Sequence, residues 1–193
     1  MVMTYRNDIG ATANESGMRL WGLEEWRDLD AAAQLALRKG AKDLVVYGSG
    51  FGASIVSTFL HESDSIGFVR GAIYETPVVD FESVVTRWAD GRSVPGVVSW
   101  LGRRLATIRF GVEWDLLDQM ERIDEFDVPM LVFVGGEDPV SYPTEIEAFA
   151  SQLGDLADEH RFEQGAHTDL WNIDADRYER IIESWLDDLI GPE

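Results

Sequence analysis

The chain has 193 residues, of which 45% are apolar, with seven Trp and nine Phe. That is enough to bury one substantial core, and it excludes a disordered chain. It has no cysteine, so disulfides, zinc–thiolate sites and a cysteine nucleophile are excluded, and its three histidines (His61, His160, His167) are too scattered for a multi-histidine metal site. Sixteen basic residues against 36 acidic ones give a net charge of −20, with Lys39 and Lys42 the only lysines. A field of that sign repels nucleic acid and anionic membranes.

In chain order, Val2–Arg6 reads as a short strand, followed by a polar loop over Asn7–Gly17. Trp21–Arg38 carries Leu23, Trp26, Leu29, Ala33 and Ala36 at helical steps, with Gly40 as its stop. Asp43–Tyr47 is a buried strand and Gly52–His61 a helix. Phe68–Tyr74 is the next strand, closed by Glu75-Thr76-Pro77. Val78–Asp127 is a long, mostly helical excursion that includes Pro95–Phe110 and Trp114–Phe126. Val128–Val134 is a strand backed by Gly135-Gly136, Thr144–Leu153 a helix, Asp158–Phe162 the last strand, and Asp176–Ile190 a closing amphipathic helix. Apolar strands alternating with helices predict a single three-layer α/β/α domain over residues 1–193 with a mostly parallel sheet. No apolar run approaches the ~20 residues that span a bilayer, and Met1–Arg6 has no signal-peptide character, so the expected location is cytoplasmic. Asn14-Glu15-Ser16 fits a glycosylation sequon, which carries no weight without secretion.

The chemistry centres on Gly48-Ser49-Gly50-Phe51-Gly52, between a strand and a helix. A strand–turn–helix with small residues at its first and fifth places is where a nucleophile elbow, G-x-S-x-G, holds its serine. Here the middle place is Gly50, which has no side chain to attack with. Ser49 precedes the apex and points elsewhere, and Ser54 lies a helical turn beyond it.

Together these residues resemble the α/β-hydrolase superfamily, in its esterase- and aminopeptidase-like serine hydrolases. The resemblance runs through Thr4-Tyr5-Arg6-Asn7-Asp8, Glu24–Leu29, the elbow, Thr76-Pro77-Val78-Val79-Asp80, Gly135-Gly136-Glu137-Asp138, Gly165-Ala166-His167, Trp171-Asn172 and Arg177-Tyr178-Glu179. It implies that Gly50 stands in the nucleophile position, that Asp138 is the triad acid and His167 the general base, and that the Phe51 N–H supplies half of an oxyanion hole. Taken singly, an Asp before Pro139 is a common turn residue and a His near Gly is commonly structural. In register with the elbow, and in the order nucleophile, acid, histidine, they read as a triad.

The resemblance implies no cofactor, and a small-molecule ester or amide as substrate or ligand. Family members carry roughly one hundred further residues ahead of this start, on the scale of a lobe, with strands and a second oxyanion donor among them. The sheet is therefore expected to lack its N-terminal strands, leaving a region open to self-association. The excursion over 78–127 falls where this fold carries a cap, and Trp88, Trp100, Phe110 and Trp114 there either line an apolar substrate site or pack as core. Arg103 and Arg104 either bind an anionic substrate or offset local repulsion.

Two other functions fit parts of the sequence. Gly48-Ser49-Gly50-Phe51-Gly52-Ala53 satisfies G-x-G-x-x-A, with Glu75 about twenty residues on as a ribose-binding acid, so a Rossmann-like dinucleotide site is a rival. A non-catalytic binding protein that keeps the pocket without the nucleophile is another.

Overall fold

A computed structural model of the protein describes residues 1–13 and 17–191. The sequon at Asn14 lies outside the described residues. Four strands form one parallel sheet: β1 (Leu44–Ser49), β2 (Val69–Glu75), β3 (Met130–Gly135) and β4 (Ala157–Phe162), in the order β1-β2-β3-β4. The helices are α1 (Trp26–Arg38), α2 (Phe51–Glu62), α3 (Phe81–Asp90), α4 (Gly96–Phe110), α5 (Pro143–Leu153), the one-turn α6 (Leu170–Ile173) and α7 (Ala175–Ile190).

Alternation along the strands divides the core into two layers. Val46, Ala72, Tyr74, Met130, Val132 and Val134 face α2 and α5, where they meet Val56, Phe59, Ile146 and Phe149. Ile73, Leu131 and Phe133 face the opposite way, onto α7. That helix offers Tyr178, Ile181, Ile182, Trp185, Leu186 and Leu189 at steps of three and four, so one continuous apolar stripe covers the sheet. A third cluster at the carboxyl ends of the strands joins Leu20, Val78, Phe81, Val112 and Leu117, with Trp21, Phe51 and Trp114 packed against it.

Three expected elements differ. Val2–Arg6 is not a strand: Val2 is fully exposed, and Arg6 is instead tied to α1 by a bidentate pair with Asp28 at 2.9 Å. A strand exists only when a neighbour accepts its ladder, and β1 is the sheet edge among the described residues. The first helix starts at Trp26 rather than Trp21, because the buried Glu25 carboxylate accepts the N–H groups of Leu20 (2.8 Å) and Gly22 (2.9 Å) and fixes a turn there. Trp114–Phe126 is not one helix but two 3-10 turns, Trp114–Leu117 and Ile123–Glu125. Between them Asp118 accepts from the backbone N–H groups of Met120 and Glu121, the local competition that removes aspartate from helix interiors.

One buried titratable group predicts a pH effect on stability. His61 on α2 is fully enclosed, packs on Phe126, and meets Gln119 through Nε2 at 3.3 Å. Burial holds its pKa below the ordinary histidine value, with Arg122 adding to the effect and Glu125 opposing it. The folded state therefore resists protonation that the unfolded chain accepts near pH ~6.5. Stability is full above that pH and falls as pH drops through it toward the lower folded value. Chemical denaturation between pH 7.5 and 5 is expected to show this loss, and His61→Gln is expected to remove most of it.

Candidate active site

Strand β1 delivers Gly50 to the sheet's carboxyl edge, where it takes φ 52° and ψ −109° before α2 begins. A positive φ at a strand–helix apex is strained for a residue with a β-carbon and free for glycine. The expected glycine-type conformation at this turn is therefore present. Phe51 opens α2, so its N–H belongs to the first-turn donors that have no intrahelical acceptor.

Asp138 and His167 arrive from β3 and β4. Gly135 and Gly136 make this possible: a β-carbon on either would lie within 2.7 Å of the carbonyl oxygen of Ala166 or Glu163, respectively. Without side chains there, the two loops join backbone to backbone, through Gly136 N–H to Phe162 O (2.8 Å) and Glu137 N–H to Gly165 O (2.9 Å). The Asp138 side chain is completely buried. Its Oδ1 accepts from the N–H groups of Val140 (2.7 Å) and Ser141 (3.0 Å), and its Oδ2 accepts from His167 Nδ1 at 2.8 Å. With the proton placed on Nδ1, the Nε2 lone pair is left free to act as a base.

That lone pair points at the empty position. A β-carbon on Gly50 would lie 2.7 Å from His167 Nε2 and 2.8 Å from Thr168 Cγ2. The imidazole therefore occupies part of the space that a β-carbon at Gly50 would need. At those distances His167 and Thr168 must both shift to admit a β-carbon, and the positive φ of Gly50 adds backbone strain. Ser49 and Ser54 are engaged elsewhere, Ser49 Oγ donating to Glu75 (2.8 Å) and Ser54 Oγ to the Val78 carbonyl (3.2 Å).

Glu75 has a role that its sequence position alone did not reveal. It is buried at the end of β2, with Oε2 accepting from Ser49 Oγ and from Tyr47 Oη (2.5 Å), and Oε1 from the Leu170 N–H (3.2 Å). Next to it, Thr76 Oγ1 accepts from the Thr168 N–H (3.1 Å). This pair fastens the elbow strand to the histidine loop. Burial, reinforced by the bond to Glu75, raises the Tyr47 pKa well above the usual phenol value; burial also raises that of Tyr178, to about 12.

An apolar cavity of about 700 Å³ is walled by Trp21, Phe81, Val85, Trp88, Ala106 and Trp114, and none of Gly50, Asp138 and His167 lines it. Phe51 touches Phe81 edge-on at 5.7 Å, which connects the cavity wall to the elbow. Of the four aromatics singled out in the excursion, Trp88 and Trp114 line this cavity; Phe110 packs in the third core cluster, and Trp100 is half exposed. Arg103 also borders the cavity, but it is paired with Glu82 (3.2 Å) and Thr86 (2.7 Å). Arg104 lies 5.9 Å from the Trp100 ring.

A parallel sheet between helical layers, with Gly50, Asp138 and His167 brought together at its carboxyl edge, has the α/β-hydrolase fold. Solved structures agree. An esterase from Pyrococcus furiosus superposes with a TM-score of 0.67 at 14% identity, covering 94% of this chain and 68% of that one. A puromycin-hydrolysing peptidase from Mycobacterium tuberculosis gives 0.69 at 19% identity, covering 90% of this chain and 26% of that one. An enzyme degrading N-acyl homoserine lactones gives 0.64 at 13% identity, covering 93% and 80%. The chain thus spans about two thirds of the esterase and about a quarter of the peptidase. No family model and no curated protein sequence matches it.

Proposed function

We propose that this protein is a serine-hydrolase scaffold for small esters or amides whose covalent step is lost because Gly50 carries no nucleophile. The observation that carries this reading is the alignment of Asp138, His167 and the vacant position, with Nδ1 bonded to the acid at 2.8 Å and Nε2 2.7 Å from where a β-carbon would stand. Acid and base are ordered for proton transfer, and the atom they would activate is absent. The known activities of the structural neighbours, on ester, peptide and lactone bonds, are those of acyl transfer and fit the same reading.

The working steps follow from this geometry once a hydroxyl is supplied. His167 Nε2 takes the hydroxyl proton as the oxygen attacks the substrate carbonyl, and Asp138 stabilises the resulting imidazolium. The Phe51 N–H then faces the developing oxyanion, and His167 returns the proton to the leaving group. With p-nitrophenyl acetate, Gly50→Ser is expected to release a burst of nitrophenol stoichiometric with protein, followed by slow turnover, while the parent chain gives no burst. An equal burst from the parent would refute the reading.

One observation favours a second reading, a binding protein: an apolar cavity stands one aromatic contact from the turn at Gly50, through Phe51 and Phe81. On that reading the parent chain binds an intact ester without cleaving it. Nothing comparable favours a dinucleotide, since the Glu75 carboxylate that would hold a ribose is engaged by Tyr47, Ser49 and the Leu170 N–H.

A further inference from the structure

Helix α4 presents an unusual face. None of its 15 residues is buried, and Val98, Trp100, Leu101 and Leu105 are each more than half exposed, with Val97 at 71% and Ile108 at 82%. At ~100° per residue, Val97, Leu101, Leu105 and Ile108 fall on one stripe. Arg104 and Trp100 flank it on one side, and Val98 and Arg109 on the other. The opposite side of α4, through Gly102, Arg103 and Ala106, walls the apolar cavity.

The charge of this helix reverses that of the chain. Gly96–Phe110 contains three arginines and no Asp or Glu, in a protein with 36 acidic residues and a net charge of −20. Arg103 is turned inward to Glu82, whereas Arg104 and Arg109 are exposed beside the apolar stripe. A second copy docked face to face about a two-fold axis would offer these arginines no carboxylate from its own α4. An anionic lipid surface complements both parts of the face, taking the aliphatic side chains into the acyl boundary and the arginines at the headgroups, with Trp100 suited to the depth between them. At ~1.5 Å per residue the helix is about 22 Å long. That is too short to span a bilayer and long enough to lie in its surface. No helix among the described residues is long and apolar enough to cross a membrane.

We propose that α4 is an interfacial docking helix that seats this protein on anionic lipid surfaces. The chain-wide charge opposes approach at long range. At physiological ionic strength, however, screening over ~8 Å leaves the contacting helix to decide the outcome.

The test is flotation of the full chain with phosphatidylcholine vesicles, with and without phosphatidylglycerol, at physiological salt. Binding is expected with the anionic vesicles and to be much weaker without phosphatidylglycerol. Combining Arg104→Ser with Arg109→Ser is expected to weaken it about 25-fold, at about fivefold per arginine. Leu101→Glu with Leu105→Glu is expected to abolish it. All four side chains are exposed or stand on the exposed face, so the melting temperature should hold, and the arginine pair tests the proposal even if the leucine pair disturbs the helix. Absence of flotation with anionic vesicles would overturn the proposal, as would flotation unaffected by both double variants. A dimer that dissociates on Leu101→Glu, or binding of polyglutamate, in a chain that does not float, would assign the face to a protein partner and overturn it equally.

Discussion

In a Gly50→Ser background, Asp138→Asn is expected to lower the rate of fluorophosphonate labelling about 10⁴-fold, the scale seen when a triad acid becomes an amide. The cause can be followed atom by atom. Asp138 Oδ1 accepts two backbone N–H groups, from Val140 and Ser141. An asparagine must keep its carbonyl oxygen on that side, which turns its NH₂ toward His167 Nδ1. That nitrogen then has to accept, the ring proton moves to Nε2, and no lone pair faces the introduced serine. Because the two backbone bonds survive, the melting temperature should change little. Labelling within tenfold of the Gly50→Ser parent would mean that His167 takes no direction from Asp138.

Replacing Glu75 with Ala is expected to cost about 3–5 kcal/mol of stability. The carboxylate is buried and accepts three hydrogen bonds, from Tyr47, Ser49 and Leu170. Hydrogen bonds to a charged group contribute about 1.5–3 kcal/mol each, and a donor left buried and unpaired costs about 1–3 kcal/mol, without simple additivity. Glu75→Gln keeps one acceptor oxygen in place and should lose roughly half as much. Urea denaturation at neutral pH distinguishes the two. In the Gly50→Ser background Glu75→Ala should also slow labelling, because the Leu170 bond is one of the ties that hold the loop carrying His167. A loss below about 0.5 kcal/mol, the range of an ordinary surface substitution, would show that the clamp carries no load.

Much of this was legible in the residues. The apolar runs at β1, β2 and β3 fix buried parallel strands, and the i, i+3, i+4 spacing from Tyr178 to Leu189 fixes the closing helix. That Gly50, Asp138 and His167 share one site came from the resemblance; taken singly, Asp138 read as a turn residue and His167 as structural. What escaped has a tertiary cause. Val2–Arg6 has strand-like residues, but a strand is made by its neighbour, and Arg6 found Asp28 on α1 instead. The delayed start of α1 depends on Glu25 reaching back to two backbone N–H groups, and the break after Leu117 on Asp118 doing the same in the forward direction. Glu75 was visible as an acid at the end of a strand, and its spacing from the glycines suggested a ribose. Only the convergence of Tyr47, Ser49 and the Leu170 N–H, from parts of the chain up to 95 residues apart, gives it another use. The exposed stripe on α4 also eluded the sequence, since its spacing is equally that of a buried helix.

The proposed function holds that a serine in place of Gly50 restores the acylation half of an acyl-transfer site. Its most direct test is intact mass measurement after exposure to a fluorophosphonate, followed by peptide mapping, on the parent chain and on Gly50→Ser side by side. The account predicts no adduct on the parent and a single adduct on the introduced serine, lost when His167→Ala is added. An adduct on Ser49 or Ser54 of the parent, or a well-folded Gly50→Ser protein that never labels, would contradict it.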